Sequence, residues 1–176
     1  MTDFPKISFP MVTLGGEAAW AEPKTTSTWS TRARDWLLDP DSLTAKLKRH
    51  CTNFQVQLLG QREAPLLADE QVWLGPQQSC IVREVILWCD GQPWVFARSV
   101  FPFSALAQQQ LRLEDLGTKP LGEHLFKQPD LVRSAVEVSS AKNNCGGTLA
   151  RYRQGTRICY GSVRAQHCQR RSCVER

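Results

Sequence analysis

Ile81-Val82-Arg83-Glu84-Val85-Ile86-Leu87-Trp88-Cys89-Asp90-Gly91-Gln92-Pro93-Trp94-Val95-Phe96-Ala97-Arg98-Ser99-Val100-Phe101 reads as two strands joined by a turn. β-branched and aromatic side chains fill both arms. Asp-Gly between such arms is a strong signal for a two-residue type I′ hairpin. With Asp90 and Gly91 as the loop, Cys89 faces Gln92, and counting outward sets Arg83 directly opposite Arg98. Residues two apart share a face, so Arg83 lies with Ile81, Val85 and Leu87, and Arg98 with Trp94, Phe96 and Val100. Glu84 points to the face opposite Arg83.

Two guanidiniums facing each other on an apolar surface require an explanation. Like charges directly opposite destabilise a ladder, and a buried charge without a partner is costly. An anion between or beside the arginines would resolve this, since their planar forks match carboxylates. Alternatively one arginine pairs with Glu84, Glu123 or Asp115, or that face meets solvent. A loop of another length would shift the register and remove the juxtaposition.

Outward from the hairpin, Asp39-Pro40 can open a helix, with Asp39 as N-cap, Pro40 at N1, and Leu43 and Leu47 one turn apart. Phe54, Val56 and Leu58 alternate as in a half-buried strand. Ser104 can cap a helix running to Leu116, which Gly117 would stop. The turn-rich stretch Thr118 to Phe126 leads into another strand-like run, Val132 to Val138. Residues 1 to 30 are rich in Pro, Gly, Ser and Thr, without periodicity. The order helix, strands, hairpin, helix, strand predicts an α+β fold with a single antiparallel β-sheet.

A chain of 176 residues, 41% hydrophobic and 22% charged, fits one soluble domain. No apolar run approaches the length of a membrane span, so no membrane insertion is expected. The N-terminus has neither a basic start nor an apolar core, which predicts a cytoplasmic location. Of the seven cysteines, Cys51, Cys80 and Cys89 sit in apolar sequence and read as reduced core thiols. Cys145, Cys159, Cys168 and Cys173 crowd the end without a C-x-x-C pair. Cys168 beside His167 is a poor basis for zinc, and His50, His124 and His167 lack ligand spacing, so no metal is expected.

The net charge of +5 is unevenly placed. Lys142, Arg151, Arg153, Arg157, Arg164, Arg170, Arg171 and Arg176 face the single acid Glu175 after residue 140, and the rest is mildly acidic. Such a tail could hold nucleic acid electrostatically. It carries no recognised motif, so an unstructured basic end is the simpler reading and no nucleic-acid partner is expected.

Val82-Arg83-Glu84-Val85-Ile86-Leu87, Asp90-Gly91-Gln92-Pro93-Trp94 and Ala97-Arg98-Ser99-Val100 together resemble the central hairpin of the chorismate pyruvate-lyases. Leu116-Gly117-Thr118-Lys119-Pro120-Leu121-Gly122 with Leu125-Phe126, and upstream Trp36-Leu37-Leu38 with Asp41-Ser42-Leu43-Thr44, resemble that family's flaps. The likeness runs in order from about residue 29 to 138. It implies a chorismate lyase-like domain over 1 to 140, whose helical flaps cover a buried ligand site. It also implies conversion of chorismate to 4-hydroxybenzoate and pyruvate, a step toward ubiquinone, with no cofactor and with chorismate as the small-molecule partner of a monomer. The resemblance places the family's carboxylate-binding, catalytic arginine at Arg83 and its flap contacts at Leu43 and Leu121. Arg98 matches the hairpin's second arginine and is expected to bind substrate as well. A non-catalytic sensor of small carboxylates on the same fold is the alternative.

Residues 141 to 176 depart from the pattern. The family's closing strand has the form Gly-Lys-Pro, an apolar run, then Glu, with that glutamate facing the hydroxyl end of the ring. Here Gly155-Thr156-Arg157-Ile158-Cys159-Tyr160-Gly161-Ser162-Val163-Arg164 has no acid and is a poor buried strand. Back-translated and read one nucleotide later, residues 154 to 165 permit Lys or Arg, Glu, Pro, Ala, Phe, Val, Thr, Glu, Val, Phe, Val, Pro. A frameshift would therefore explain the basic, cysteine-rich end. The expectation is a chain lacking one sheet strand and one active-site acid, less stable and weakly active or inactive.

Overall fold

Asp90 and Gly91 take positive φ, +49° and +74°, as a type I′ turn demands. Asp90 Oδ1 accepts from Thr52 N (3.0 Å) and Asn53 N (2.8 Å), tying the turn to the preceding loop. A computed structural model describes residues 4–11, 20–23, 31–75, 79–109, 113–126, 132–142, 148–155 and 160–166. Along them run α1 (Thr31–Leu37), α2 (Leu43–His50), β1 (Phe54–Glu63), α3 (Ala68–Leu74), β2 (Cys80–Cys89), β3 (Gln92–Pro102) and α4 (Phe103–Gln109). A 3₁₀ turn (Leu113–Leu116), α5 (Leu121–Leu125), β4 (Glu137–Lys142), β5 (Thr148–Gly155) and β6 (Tyr160–Gln166) follow. The strands form one six-stranded sheet in the order β1-β2-β3-β6-β5-β4. Every neighbouring pair is antiparallel, so the α+β, single-sheet expectation holds.

The expected register does not. Cys89 pairs with Gln92 and Trp88 with Pro93, but Leu87 then pairs with Val95, leaving Trp94 as an extra residue. Proline has no N–H to continue the ladder, and a bulge is where a strand accommodates one. Both Trp94 and Val95 consequently pack into the cluster around Leu47 and Leu87. Beyond the bulge every pair moves by one: Arg83 lies opposite Ser99, and Arg98 opposite Glu84. Because the side-chain period is two, that single residue sends Arg98 to the other face of the sheet from Arg83.

Each face has its own core. On one, Ile86, Trp88 and Phe96 are covered by Phe4, Ile7 and Met11, and Val82 and Val100 by Phe9 and Leu74. On the other, Leu47 of α2 meets Leu87, Cys89 and Val95, while Phe101 meets Leu113, Leu116 and Leu125. Phe9 lies on Gly60 so closely that an added Cβ would overlap its ring. Gly60→Ala should therefore displace the N-terminal segment and cost about 1–3 kcal/mol. A lowered urea midpoint would register it; an unchanged one would show that Phe9 moves freely.

Other local expectations shift. Helix α2 starts at Leu43, after Ser42, whose Oγ accepts from Ala45 N at 3.4 Å. Asp39 instead accepts from Asp41 N (2.9 Å) and binds Lys46 Nζ (2.7 Å). The helix expected from Ser104 to Leu116 is α4 followed by the 3₁₀ turn. Cys51, Cys80 and Cys89 are free thiols, as expected.

The compositional break near residue 140 is no break in the sheet. Strand β4 spans it, β6 fills the edge of β3, and β5 joins the two. The chain thus has a strand where the sequence predicted the loss of one. Ladder bonds are made by backbone, and the N–H and C=O groups along the β3 edge need partners whatever side chains the next strand carries. Cys145, Cys159, His167, Cys168 and Cys173 lie outside the described residues, as do Arg157, Arg170, Arg171 and Arg176. No described helix is long and apolar enough to cross a membrane.

Candidate functional site

Between the sheet and its helical covering lies a cavity of about 380 Å³, large enough for a small ligand. Val56 of β1, Arg83, Val85 and Leu87 of β2, and Ala97 and Ser99 of β3 form its floor. One cap is the segment Trp36 to Asp41 with Leu43 and Thr44 of α2; the other is Pro120 to Gly122 with Leu125 and Phe126. Arg133, Ser134, Val136 and Gln154 complete the wall.

Arg83 is the charged residue of the floor, only 2% exposed. Its Nη1 donates to Gln61 Oε1 at 2.6 Å. Its Nη2 donates to the carbonyls of Gly117 (2.9 Å) and Lys119 (3.1 Å). Those carbonyls are turned inward by the bend after the 3₁₀ turn, where Gly117 has φ +47° and Lys119 N donates to Leu116 O at 2.6 Å. The sequence Leu116-Gly117-Thr118-Lys119-Pro120 therefore both holds the arginine and starts α5. Every one of these acceptors is neutral, and no described carboxylate forms a salt bridge with Arg83. Burial pushes its guanidinium below the ordinary value, although an arginine remains charged in a protein. A buried cation held only by neutral oxygens keeps an uncompensated charge, which an anion on the cavity floor would balance.

Arg98 occupies a different environment. Its Nε and Nη2 bind Glu70 Oε1 and Oε2 at 2.7 and 3.0 Å. Nη1 binds Glu84 Oε1 at 2.7 Å, and Nη2 also donates to Pro65 O at 2.9 Å. Arg98, Glu70 and Glu84 are 2%, 1% and 0% exposed. Burial alone would lower the Arg98 guanidinium, but hydrogen bonds and charge from Glu70 and Glu84 outweigh it and raise it. Glu84 Oε2 further accepts from Met11 N, and Glu70 Oε2 from Leu67 N. The expectation that Arg98 binds substrate beside Arg83 is thereby corrected: it ties the N-terminal segment and α3 to the back of the sheet. Of the alternatives open at the sequence level, pairing with Glu84 is the one realised.

Leu43 and Leu121 both line the cavity, one from each cap. The caps approach closely: a Cβ added at Gly122 would lie 3.3 Å from Thr44 Oγ1. Lys48 and Glu123 bridge them at 2.5 Å in an exposed pair, which holds them weakly. Sequence reading missed Ser99, Gln154 and Arg133. Ser99 is legible only once the bulge is known, and the other two reach the wall from segments far along the chain. Among the described residues no three His, Cys, Asp or Glu side chains gather as metal ligands would. In the register of β6, Gly161 and Val163 neighbour Ser99 and Ala97, and Ser162 neighbours Arg98. No residue from Tyr160 to Gln166 is acidic.

A family model described as chorismate lyase matches residues 14–161, beyond both ends of the stretch that carries the motifs. A "Probable chorismate pyruvate-lyase" of Photobacterium profundum is 38% identical over 143 residues, which cover 80% of this chain and 77% of that protein. Its counterpart in Shewanella sp. (strain W3-18-1) is 44% identical over 108 residues, 61% of this chain and 56% of the relative. Among solved structures, the "possible transcriptional regulator YydK" of Bacillus subtilis subsp. subtilis str. 168 superposes with a TM-score of 0.50 at 8% identity. It covers 65% of this chain and 59% of that one, a likeness of fold alone.

Proposed function

The chain belongs to the chorismate lyase family, and from that premise we propose that its cavity is a chorismate pyruvate-lyase site, releasing 4-hydroxybenzoate and pyruvate. The observation that carries this is Arg83, a buried guanidinium without a carboxylate partner among the described residues, on the floor of a largely apolar, ligand-sized cavity. Its fork takes the ring carboxylate, while Val56, Val85, Leu87, Leu121 and Leu125 pack around the ring. Held so, the substrate loses its enolpyruvyl group. The ether C–O bond breaks, the ring gives up a proton as it becomes aromatic, and the departing enol takes one to become pyruvate. Aromatisation supplies the driving force, so orientation and charge stabilisation matter more than a strong acid or base. Caps that must part before the ring can leave make product release a slow step. The product is a precursor on the way to ubiquinone.

The altered end bears on rate. The family's glutamate has no counterpart in β6, and we attribute the sequence of residues 154 to 165 to a shift of reading frame. The expected result is measurable but weak 4-hydroxybenzoate release from chorismate, well below that of the Photobacterium relative. A variant carrying the shifted-frame residues over 154 to 165 should release product faster. Equal rates from the two chains would remove the frameshift reading, and so would a gene whose shifted frame meets a stop codon there. A chain that binds 4-hydroxybenzoate but stays inactive after that repair would instead be a carboxylate sensor. One that neither binds nor turns over would end the lyase reading.

A further inference from the structure

We propose that Arg133 is the cavity's second carboxylate-binding residue, meeting at the mouth the carboxylate that Arg83 cannot reach from the floor. The proposal rests on the reading of the cavity as the chorismate site. Arg133 lines the cavity but, unlike Arg83, is exposed. Its Nη2 donates to Pro40 O at 2.8 Å, and its guanidinium lies 4.9 Å from the centroid of the Phe126 ring. Pro40 belongs to one cap and Phe126 to the other, so the side chain is oriented by both. A guanidinium has five N–H donors in a rigid fork. Pro40 uses one, and among the described residues no carboxylate pairs with Arg133. The Phe126 ring beneath it steadies the guanidinium, leaving N–H groups that Pro40 does not use for a carboxylate.

Substrate chemistry calls for two such groups. Chorismate carries a carboxylate on its ring and another on the enolpyruvyl ether, and the reaction separates them. The aromatic product keeps the first, and pyruvate takes away the second. A buried cation on the floor suits the group that stays with the ring, and an exposed one at the mouth suits the group that leaves. Arg133 should therefore discriminate between dicarboxylate substrate and monocarboxylate product, and Arg83 should not.

Equilibrium binding to the full chain tests this with two unreactive or product ligands. 3-(1-Carboxyethoxy)benzoate carries both carboxylates on an aromatic ether, and 4-hydroxybenzoate carries one. Arg133→Ala is expected to weaken the dicarboxylate about tenfold to a hundredfold, the range for charge-assisted hydrogen bonds, and to leave 4-hydroxybenzoate binding unchanged. Arg133→Lys, which keeps the charge without the fork, should recover part of the loss. Arg83→Ala should weaken both ligands. If Arg133→Ala weakens both alike, the residue is only a strut between the caps and the proposal falls. It falls equally if neither ligand is affected while Arg83→Ala loses both. Unaltered binding of both ligands to Arg83→Ala would instead overturn the reading of the cavity itself. Since Arg133 is exposed, an unchanged urea midpoint is expected for its variants, and Arg133→Lys keeps the test valid should the alanine variant prove unstable.

Discussion

Arg98→Ala will lose a large part of the protein's stability, and its effect on ligand binding will follow only from unfolding. The substitution strips the cation from Glu70 and Glu84, two carboxylates that are essentially without solvent contact. Breaking a buried pair by removing one partner costs about 3–5 kcal/mol, against a total stability of about 5–15 kcal/mol for an ordinary domain. Here a single arginine serves two carboxylates and the Pro65 carbonyl, so the upper end of that range is expected. The loss should spread to the N-terminal segment and α3, since Met11 N and Leu67 N are bonded to the same carboxylates. Urea denaturation followed by tryptophan fluorescence measures it. An Arg98→Ala protein as stable as the parent but unable to bind 4-hydroxybenzoate would restore Arg98 to the ligand site and refute the back-of-sheet assignment.

The converse holds for Arg83. Arg83→Ala should fold with little change in stability, because its removal leaves no buried carboxylate behind. The Gln61 side chain and the carbonyls of Gly117 and Lys119 lose a donor, but the vacated space opens to the cavity and can admit water. Binding of 4-hydroxybenzoate should fall by about 2–5 kcal/mol, the cost of truncating one partner of a buried hydrogen-bonded charge pair. Arg83→Lys should recover little, since an ammonium cannot satisfy three oxygens and still present a planar fork. Titration calorimetry on the folded variants decides the matter, and wild-type affinity in Arg83→Ala would sink the site.

How much of this was legible depends on how local each feature is. The Asp90-Gly91 turn follows from two adjacent residues able to adopt positive φ, and both do. The alternation through Phe54, Val56 and Leu58 marks β1 for the same reason. Helix α3 was not foreseen: Ala68–Leu74 is seven residues that expose Val72 and Trp73 yet bury Glu70, and its position comes from Glu70 reaching Arg98. Leu43 and Leu121 were found through likeness to a family, since nothing in their local sequence separates a cavity leucine from a core one. The strands after residue 140 were misjudged because arginines and glycines argue against a buried strand, whereas an open sheet edge recruits backbone.

By itself, the sequence determined the hairpin, the fold class, the family, and the placement of one arginine among apolar residues on β2. Tertiary structure decided which arginine stands where. Pro93 cannot donate to the ladder, so Trp94 is expelled into a bulge and the register slips by one. With a side-chain period of two, that slip moves Arg98 from the ligand face to a buried ion pair. Among the described residues it leaves Arg83 with only neutral oxygens as partners. The second cation on the cavity is supplied from Arg133, which no spacing in the sequence connects to the hairpin.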